Sequence, residues 1–292
     1  MTLAGVTPWR RGKVRDVYDL GDRLLIVASD RLSAYDAILP TPIPDKGRVL
    51  TAMSAFWFAR LAAASPHHLL SSERADFPPP FHDLEELEGR AMLCRRAERV
   101  DVECVVRGSL TGAGWREYRD HGTLHGEPLP PELHDGSPLD TPVFTPTTKA
   151  EQGHDQPIPR AELPGLVGAA LARELEERSL ALFAEARPIA AAAGLVLADT
   201  KFEFGRIDGT LTLIDELLSP DSSRYWDAAA YAEGRLESFD KQVVRDWLDR
   251  SGWDHVPPAP PLPPEVVATT RARYLEAARR LLGPERARAI AR

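Results

Sequence analysis

Cysteine is nearly missing from this chain: Cys94 and Cys104 are the only two. Both stand in apolar stretches without a CxxC or Cys/His spacing, which excludes a disulfide framework and a structural zinc site. They are expected to be inert core thiols in a reducing compartment. Long apolar runs are missing as well. The longest, residues 189–198, is about half of what a membrane span requires. The opening MTLAGVTPWRRGK holds no apolar core of signal-peptide length, so a soluble cytoplasmic protein is expected. An excess of positive charge is also absent. With 36 basic against 44 acidic residues and a net charge of −8, general nucleic-acid binding is disfavoured, because it needs clustered Lys and Arg against phosphates. Neither GxxxxGK[ST] nor GxGxxG occurs, which removes the P-loop and the dinucleotide fingerprint.

Lysine is scarce in a different sense. Only five of the 36 basic residues are Lys: Lys13, Lys46, Lys149, Lys201 and Lys241. Codon bias accounts for a preference for Arg, but a chain that writes its surface cations as Arg can keep Lys where a compact ammonium is wanted.

What is present reads as an α+β chain built on antiparallel sheets. Its 292 residues suffice for one large domain or two ordinary ones with a core that needs no cross-links. VRDVYDL and LLIVAS flank Gly21-Asp22 as a hairpin over 13–30. Helical spacing covers 48–64, and strands are expected at 91–96 and 102–107. A short helix, WREYRD, follows Gly114. Residues 122–160 contain eight prolines and little periodicity, and are expected to be a long functional or disordered loop. An Ala/Leu/Glu-rich helix is expected over 165–193, with Pro188 as a kink or break. A second hairpin turns at Asp208-Gly209. Helices are expected near 224–233 and 240–251, then a Pro-rich linker and an Arg-rich helix over 265–291.

The densest chemistry lies in Asp199-Thr200-Lys201-Phe202-Glu203-Phe204-Gly205. On a strand, Asp199, Lys201 and Glu203 share one face while Phe202 and Phe204 share the other. Three such charges also suit a solvated strand face. The partner strand ends in Ile214-Asp215-Glu216, and carboxylates facing each other around a lysine would suit Mg²⁺ and a polyphosphate. A strict two-residue turn at Asp208-Gly209, however, puts Asp215 on the face opposite Glu203. The site therefore requires a bulge, a longer loop or a bend at the strand end.

Five further clusters accompany it. Lys13 and Arg15, on the first hairpin, suit a phosphate flap or a solvated strand end. Ser33 and Asp36, with Asp45-Lys46-Gly47 beyond, suit ribose or phosphate contacts or plain turn capping. Arg107 precedes a glycine-rich helix entry with Ser109 and Thr111, where backbone N–H groups can meet an anion. Lys149, His154 and Asp155 lie in the long loop, and a single His is a weak zinc signal. Lys241 and Arg245 share a helix face at i and i+4.

Taken in order, GKVRDVYD, SDRLSAYD, DKGRVLT, VVRGSLTGAGW, PTTKAEQGHD, DTKFEFG, DELLSPDSSRYW and FDKQVVRDWL closely resemble the SAICAR synthetase family (phosphoribosylaminoimidazole-succinocarboxamide synthases) of purine biosynthesis. The resemblance covers about residues 10–250, and all five lysines fall inside it. It implies an ATP-dependent carbon–nitrogen ligase joining carboxyaminoimidazole ribonucleotide (CAIR) to L-aspartate, giving SAICAR, ADP and phosphate through an acyl phosphate. It implies a kinase-like ATP lobe over 1–105, a ribonucleotide and aspartate lobe over 106–255, and a linker with C-terminal helix over 256–292.

By the same resemblance, Lys13 and Arg15 contact ATP phosphates, and the adenine lies near Arg96 and Glu98. Glu203 and Asp215 hold Mg²⁺. Lys201, with Asp199 beside it, stands between the CAIR carboxylate and the γ-phosphate. Arg107 and Arg224 anchor the CAIR phosphate, with Ser109 or Thr111 as a further phosphate ligand and Ser33 and Asp36 supplying further contacts, while Lys149, Asp155, Lys241 and Arg245 belong to the substrate end. Nucleic-acid and membrane partners are not expected, and a monomer is favoured over a homo-oligomer. The rivals are a phosphotransferase acting on a hydroxyl, which would ignore aspartate, and a regulatory module that has lost catalysis, which should lack some of Lys13, Lys201, Glu203 and Asp215.

Overall fold

The computed structural model describes Leu3, residues 5–149 and residues 156–291. In chain order the elements are β1 (Arg10–Arg11), β2 (Arg15–Asp19), β3 (Arg23–Ala28), β4 (Ser33–Ala34), β5 (Ala37–Ile38), α1 (Lys46–Leu61), β6 (Leu69–Ser71), β7 (Ala91–Arg95), β8 (Glu98–Ser109) and α2 (Gly112–His121). There follow β9 (Thr123–Leu124), β10 (Glu127–Pro128), β11 (Pro138–Phe144), β12 (Thr147–Thr148), α3 (Leu163–Val167), α4 (Ala169–Ala192), β13 (Leu195–Ile207), β14 (Thr210–Ile214), β15 (Ser223–Asp227), α5 (Ala228–Ala232), α6 (Gln242–Arg250), α7 (Pro264–Leu282) and α8 (Pro284–Ile290).

Two antiparallel sheets carry the fold, which is α+β as the element pattern predicts. The first runs β1-β2-β3-β7-β6 and the second β11-β8-β13-β14, with β12 also on β8 and β15 also on β13. One continuous core joins them: Ile26 and Met92 of the first sheet, Trp57 and Phe58 of α1, Phe183 of α4, Phe202 and Phe204 of β13 and Tyr274 of α7 belong to a single buried cluster. Residue 105 lies within β8, which passes from the link after the first sheet into the centre of the second.

Four local expectations need correction. The 122–160 segment contains β9 to β12 rather than an unstructured loop. Its prolines hid them: β11 is an edge strand, where Pro138 and Pro142 interrupt pairing without breaking a central ladder. Pro188 does not end α4, because Leu182, Phe183, Ala186 and Ala190 are buried and their packing outweighs one missing N–H. The helix expected over 224–233 begins only at Ala228, where the Asp227 side chain accepts from Ala230 N at 2.8 Å. Before it, Tyr225 and Trp226 are buried in β15 against β13, which aromatic residues favour. The C-terminal helix is two helices, α7 and α8, separated at Gly283.

Candidate active site

β8 and β13 pair in a register that builds the site. Asp199 lies opposite Arg107, Lys201 opposite Val105 and Glu203 opposite Glu103. On the other side of β13, Asp199 lies opposite Arg224 of β15. Directly opposed residues share a face, so one face carries Arg107, Asp199 and Arg224 at one end, Lys201 in the middle, and Glu103 with Glu203 at the other. The opposite face is apolar, with Phe202 and Phe204 fully buried. The two ends are four residues apart, about 13 Å along the strand, which suits a nucleotide-sized molecule.

The bend that this site requires is present at the strand end. Asp208 and Gly209, both with positive φ, form the two-residue turn, and its strict register holds to Glu203 opposite Ile214. β14 stops there. Asp215 then takes a φ of 64°, uncommon for a residue with a Cβ, and leaves the alternation that would have carried it to the far face. Neighbours fix this turn. His68 N donates to Leu213 O at 3.0 Å, Leu213 N donates to Pro66 O at 2.9 Å, and His68 Nε2 meets Asp215 O at 3.1 Å. Arg15 grips the side chains of both Asp215 and Glu216. Arg15 is therefore held within the site by two carboxylates, while Lys13 pairs with Asp36 at the surface.

Charge is closely balanced around Lys201. Its ammonium donates to Glu103 Oε1 at 2.6 Å and Glu203 Oε1 at 2.7 Å. Lys149 reaches the same two carboxylates, lying 3.5 Å from Glu103. Burial alone would lower the pKa of Lys201, but Glu203, Glu103 and Asp215 outweigh it and hold the ammonium well above its usual range. Burial pushes Asp215 up, yet Arg15, Lys149 and Lys201 bring it well below the usual carboxylate range. Glu203 is lowered in the same way, against burial, chiefly by Lys201.

At the other end, Arg107 donates to Thr145 Oγ1 at 3.1 Å and to Asp199 Oδ2 at 3.2 Å, and Arg224 pairs with the same oxygen. Burial lowers the pKa of Arg107, with Arg224 adding repulsion, whereas Asp199 and Asp240 outweigh burial at Arg224 and raise it. The start of α2 lies against them. Gly112 has a φ of 59°, and a Cβ there would come within 2.5 Å of the Arg224 guanidinium. Ser109 is buried where β8 ends.

Ser33 is buried in the small β4–β5 hairpin, whose turn residues Tyr35 and Asp36 both have positive φ. A cavity of about 620 Å³ opens at the link between the sheets, with Arg96 and Glu98 on its wall beside Arg95, Ala97 and Arg206. The Arg96 side chain also donates to Gly21 O at 2.7 Å and pairs with Asp19. Arg245 lies 3.4 Å from Asp240. Lys241 precedes α6 on the Asp221 side, and Asp155 falls outside the described residues.

Two participants, Glu103 and His68, escaped the sequence reading, and a third, Lys46, was noted only within a candidate ribose or phosphate cluster. Glu103 carried a signal, a single carboxylate in the buried strand VECVVR. Lys46, in the DKG segment, is fully buried and reaches Asp221 at 2.5 Å. His68 carried no signal at all. No group of three His, Cys, Asp or Glu among the described residues forms a ready metal cage. No helix among them is long and apolar enough to cross a membrane.

Comparisons with known proteins point one way. The family model for SAICAR synthetase matches residues 8–260. The phosphoribosylaminoimidazole-succinocarboxamide synthase of Syntrophobacter fumaroxidans is 48% identical over 96% of this chain and 94% of its own length. That of Rhodopirellula baltica is 49% identical over 94% of this chain and 92% of its own. The solved SAICAR synthase of Saccharomyces cerevisiae, complexed with SAICAR, superposes with a TM-score of 0.84 at 37% identity, covering 97% of each chain. This chain belongs to the SAICAR synthetase family.

Proposed function

We infer that the face shared by β8, β13 and β15 performs this family's reaction, the ATP-driven joining of the CAIR carboxylate to L-aspartate. The chain is an acid–amino-acid ligase of purine biosynthesis. The observation that carries the assignment of the face is the position of Lys201, between the two-arginine end and the carboxylates of Glu203 and Asp215.

A carboxylate does not react with an amine while oxide is the leaving group. In the first step a CAIR carboxylate oxygen bonds to the γ-phosphorus and ADP departs. The aspartate nitrogen then bonds to the acyl carbon, phosphate departs, and the nitrogen loses a proton. Lys201, held charged, neutralises the carboxylate and the transferring phosphoryl group together. Arg107 and Arg224 take the CAIR phosphate, with N–H groups at the start of α2 beside them. In the product-bound yeast relative the ligand is SAICAR, the molecule this arrangement is proposed to release.

Glu203 and Asp215 fit a magnesium ion. Mg²⁺ is commonly held by one or two carboxylates plus substrate phosphates rather than by an all-protein cage, and buried Glu203 and half-buried Asp215 interact electrostatically with each other. When bound, the ion held by Glu203 and Asp215 would supply positive charge against the charge developing on the transferring phosphoryl group. Lys13 meets the phosphates, and Ser33, Asp36, Ser109, Lys149, Lys241 and Arg245 complete the substrate end. The adenine belongs near Arg96 and Glu98. The division into an ATP lobe, a ligand lobe and a C-terminal segment is part of this reading, as are a cytoplasmic location and a monomer.

Lys201→Ala tests the assignment. Turnover should fall about a hundred- to a thousandfold, a loss of the size caused by removing one preorganised charge-stabilising group, with the folded state retained by circular dichroism. Near-normal ligase activity would remove Lys201 from the reaction.

A further inference from the structure

Beyond residue 260 the family model does not match, yet α7 from that region reaches the substrate end. Tyr274, on the buried face of α7, donates its hydroxyl to Asp221 Oδ1 at 2.8 Å. The other oxygen, Oδ2, accepts from Lys46 at the first turn of α1, and both ionic side chains of that pair are buried. Asp221 in turn belongs to the turn Ser219-Pro220-Asp221-Ser222, where Asp221 N donates to Ser219 Oγ at 3.1 Å. Ser222 O accepts from Lys201 N at 2.9 Å. One carboxylate thus connects α1, α7 and the catalytic strand at Lys201. A second contact from α7, Arg271 to Asp45, fixes the same end of α1.

Lys241 faces this group. Asp221, Arg245, Lys46 and Asp240 all act on it electrostatically. Among the described residues its ammonium forms no hydrogen bond or ion pair, while the two oxygens of Asp221 are directed to Tyr274 and Lys46.

We propose that Tyr274 is a positioning residue for aspartate binding: by holding Asp221 away from Lys241, it keeps that ammonium open for a carboxylate of the amino-acid substrate. The choice of substrate rests on the reading above and follows by elimination. Lys13 and the metal carboxylates serve ATP, Arg107 and Arg224 serve the CAIR phosphate, and Lys201 serves the CAIR carboxylate. The remaining anions are the two carboxylates of aspartate, and beside Asp221 stands Lys241, a partly buried cation with no hydrogen bond or ion pair among the described residues. Without the Tyr274 hydroxyl, Asp221 has one free oxygen, and Lys241 is the next cation it meets.

Steady-state kinetics of the full chain test this with Tyr274→Phe. KM for aspartate should rise about tenfold, the scale of one hydrogen bond to a charged group. kcat and the KM values for ATP and CAIR should stay within about twofold of wild type. Arg271→Gln, which loosens the same helix without touching Asp221, should lower Tm and leave every KM in place. In a Lys241→Gln background, Tyr274→Phe should add nothing further to KM for aspartate. An unchanged KM for aspartate, or a uniform loss of kcat that follows stability, would overturn the proposal. If Tyr274→Phe is too unstable to assay, Asp221→Glu displaces the carboxylate with Tyr274 intact. A raised KM for aspartate then supports the proposal and an unchanged one overturns it. Wild-type ADP release that ignores aspartate would instead mean that the ligase reading has failed.

Discussion

Acidification from pH 7 to pH 5 tests the support behind the bend at Asp215 through one residue, His68. Its ring is buried beside Phe58, with Nε2 on the carbonyl of Asp215, the residue whose left-handed turn brings a carboxylate to the site. Burial lowers its pKa to about 4, against the opposing pull of Asp215. In the unfolded chain the same ring has a pKa of about 6.5. Between these values the unfolded state binds a proton that the folded state excludes, so stability is complete above pH 6.5 and declines as pH falls toward 4. The difference corresponds to about 3 kcal/mol in total, of which about 2 kcal/mol is lost by pH 5. His67, also lowered by burial, contributes with the same sign, so the comparison must isolate His68. In His68→Gln a side-chain amide can still donate to Asp215 O but cannot titrate. Urea unfolding of both proteins at pH 7 and pH 5 should show wild type losing about 2 kcal/mol more than the variant. Equal losses would refute the claim that a buried neutral imidazole supports the bend.

Two other perturbations address the ends of the face. Gly112→Ala adds a methyl group where φ is positive and where Arg224 lies within 2.5 Å. Stability should fall by about 1 kcal/mol while KM for CAIR rises about tenfold, because the displaced group is the proposed phosphate anchor; an unchanged KM would dissociate Arg224 from that phosphate. Glu203→Gln keeps the side-chain shape and removes one charge of the proposed metal site. The Mg²⁺ concentration giving half-maximal activity should increase at least about tenfold, and an unaltered Mg²⁺ titration would count against ligation by Glu203.

The central strand was legible because its chemistry follows a period of two. DTKFEFG alternates charge with aromatic, and the structure buries Phe202 and Phe204 while Asp199, Lys201 and Glu203 share the other face. The turn at Asp208-Gly209 was equally plain. Asp215 was only half legible. Turn length showed that a bend was needed, but its stabilisers, Arg15 and His68, are distant in sequence. Glu103 lay in a strand that read as buried, and only the register of β8 against β13 shows that it meets Lys201. β15 was misread because Ser223–Asp227 becomes a strand by pairing with β13, a long-range gain that local periodicity does not express. The tail was readable as a helix, but amphipathic spacing does not reveal that Tyr274 meets Asp221.

The proposed reaction is a coupled one: phosphate transfer from ATP serves the joining of two other molecules. ADP release from wild-type protein supplied with CAIR, ATP and Mg²⁺, with and without L-aspartate, measures this directly. The prediction is one ADP and one SAICAR formed per turnover, and sustained release only when aspartate is present. Sustained ADP release indifferent to aspartate, or the absence of SAICAR, would contradict it.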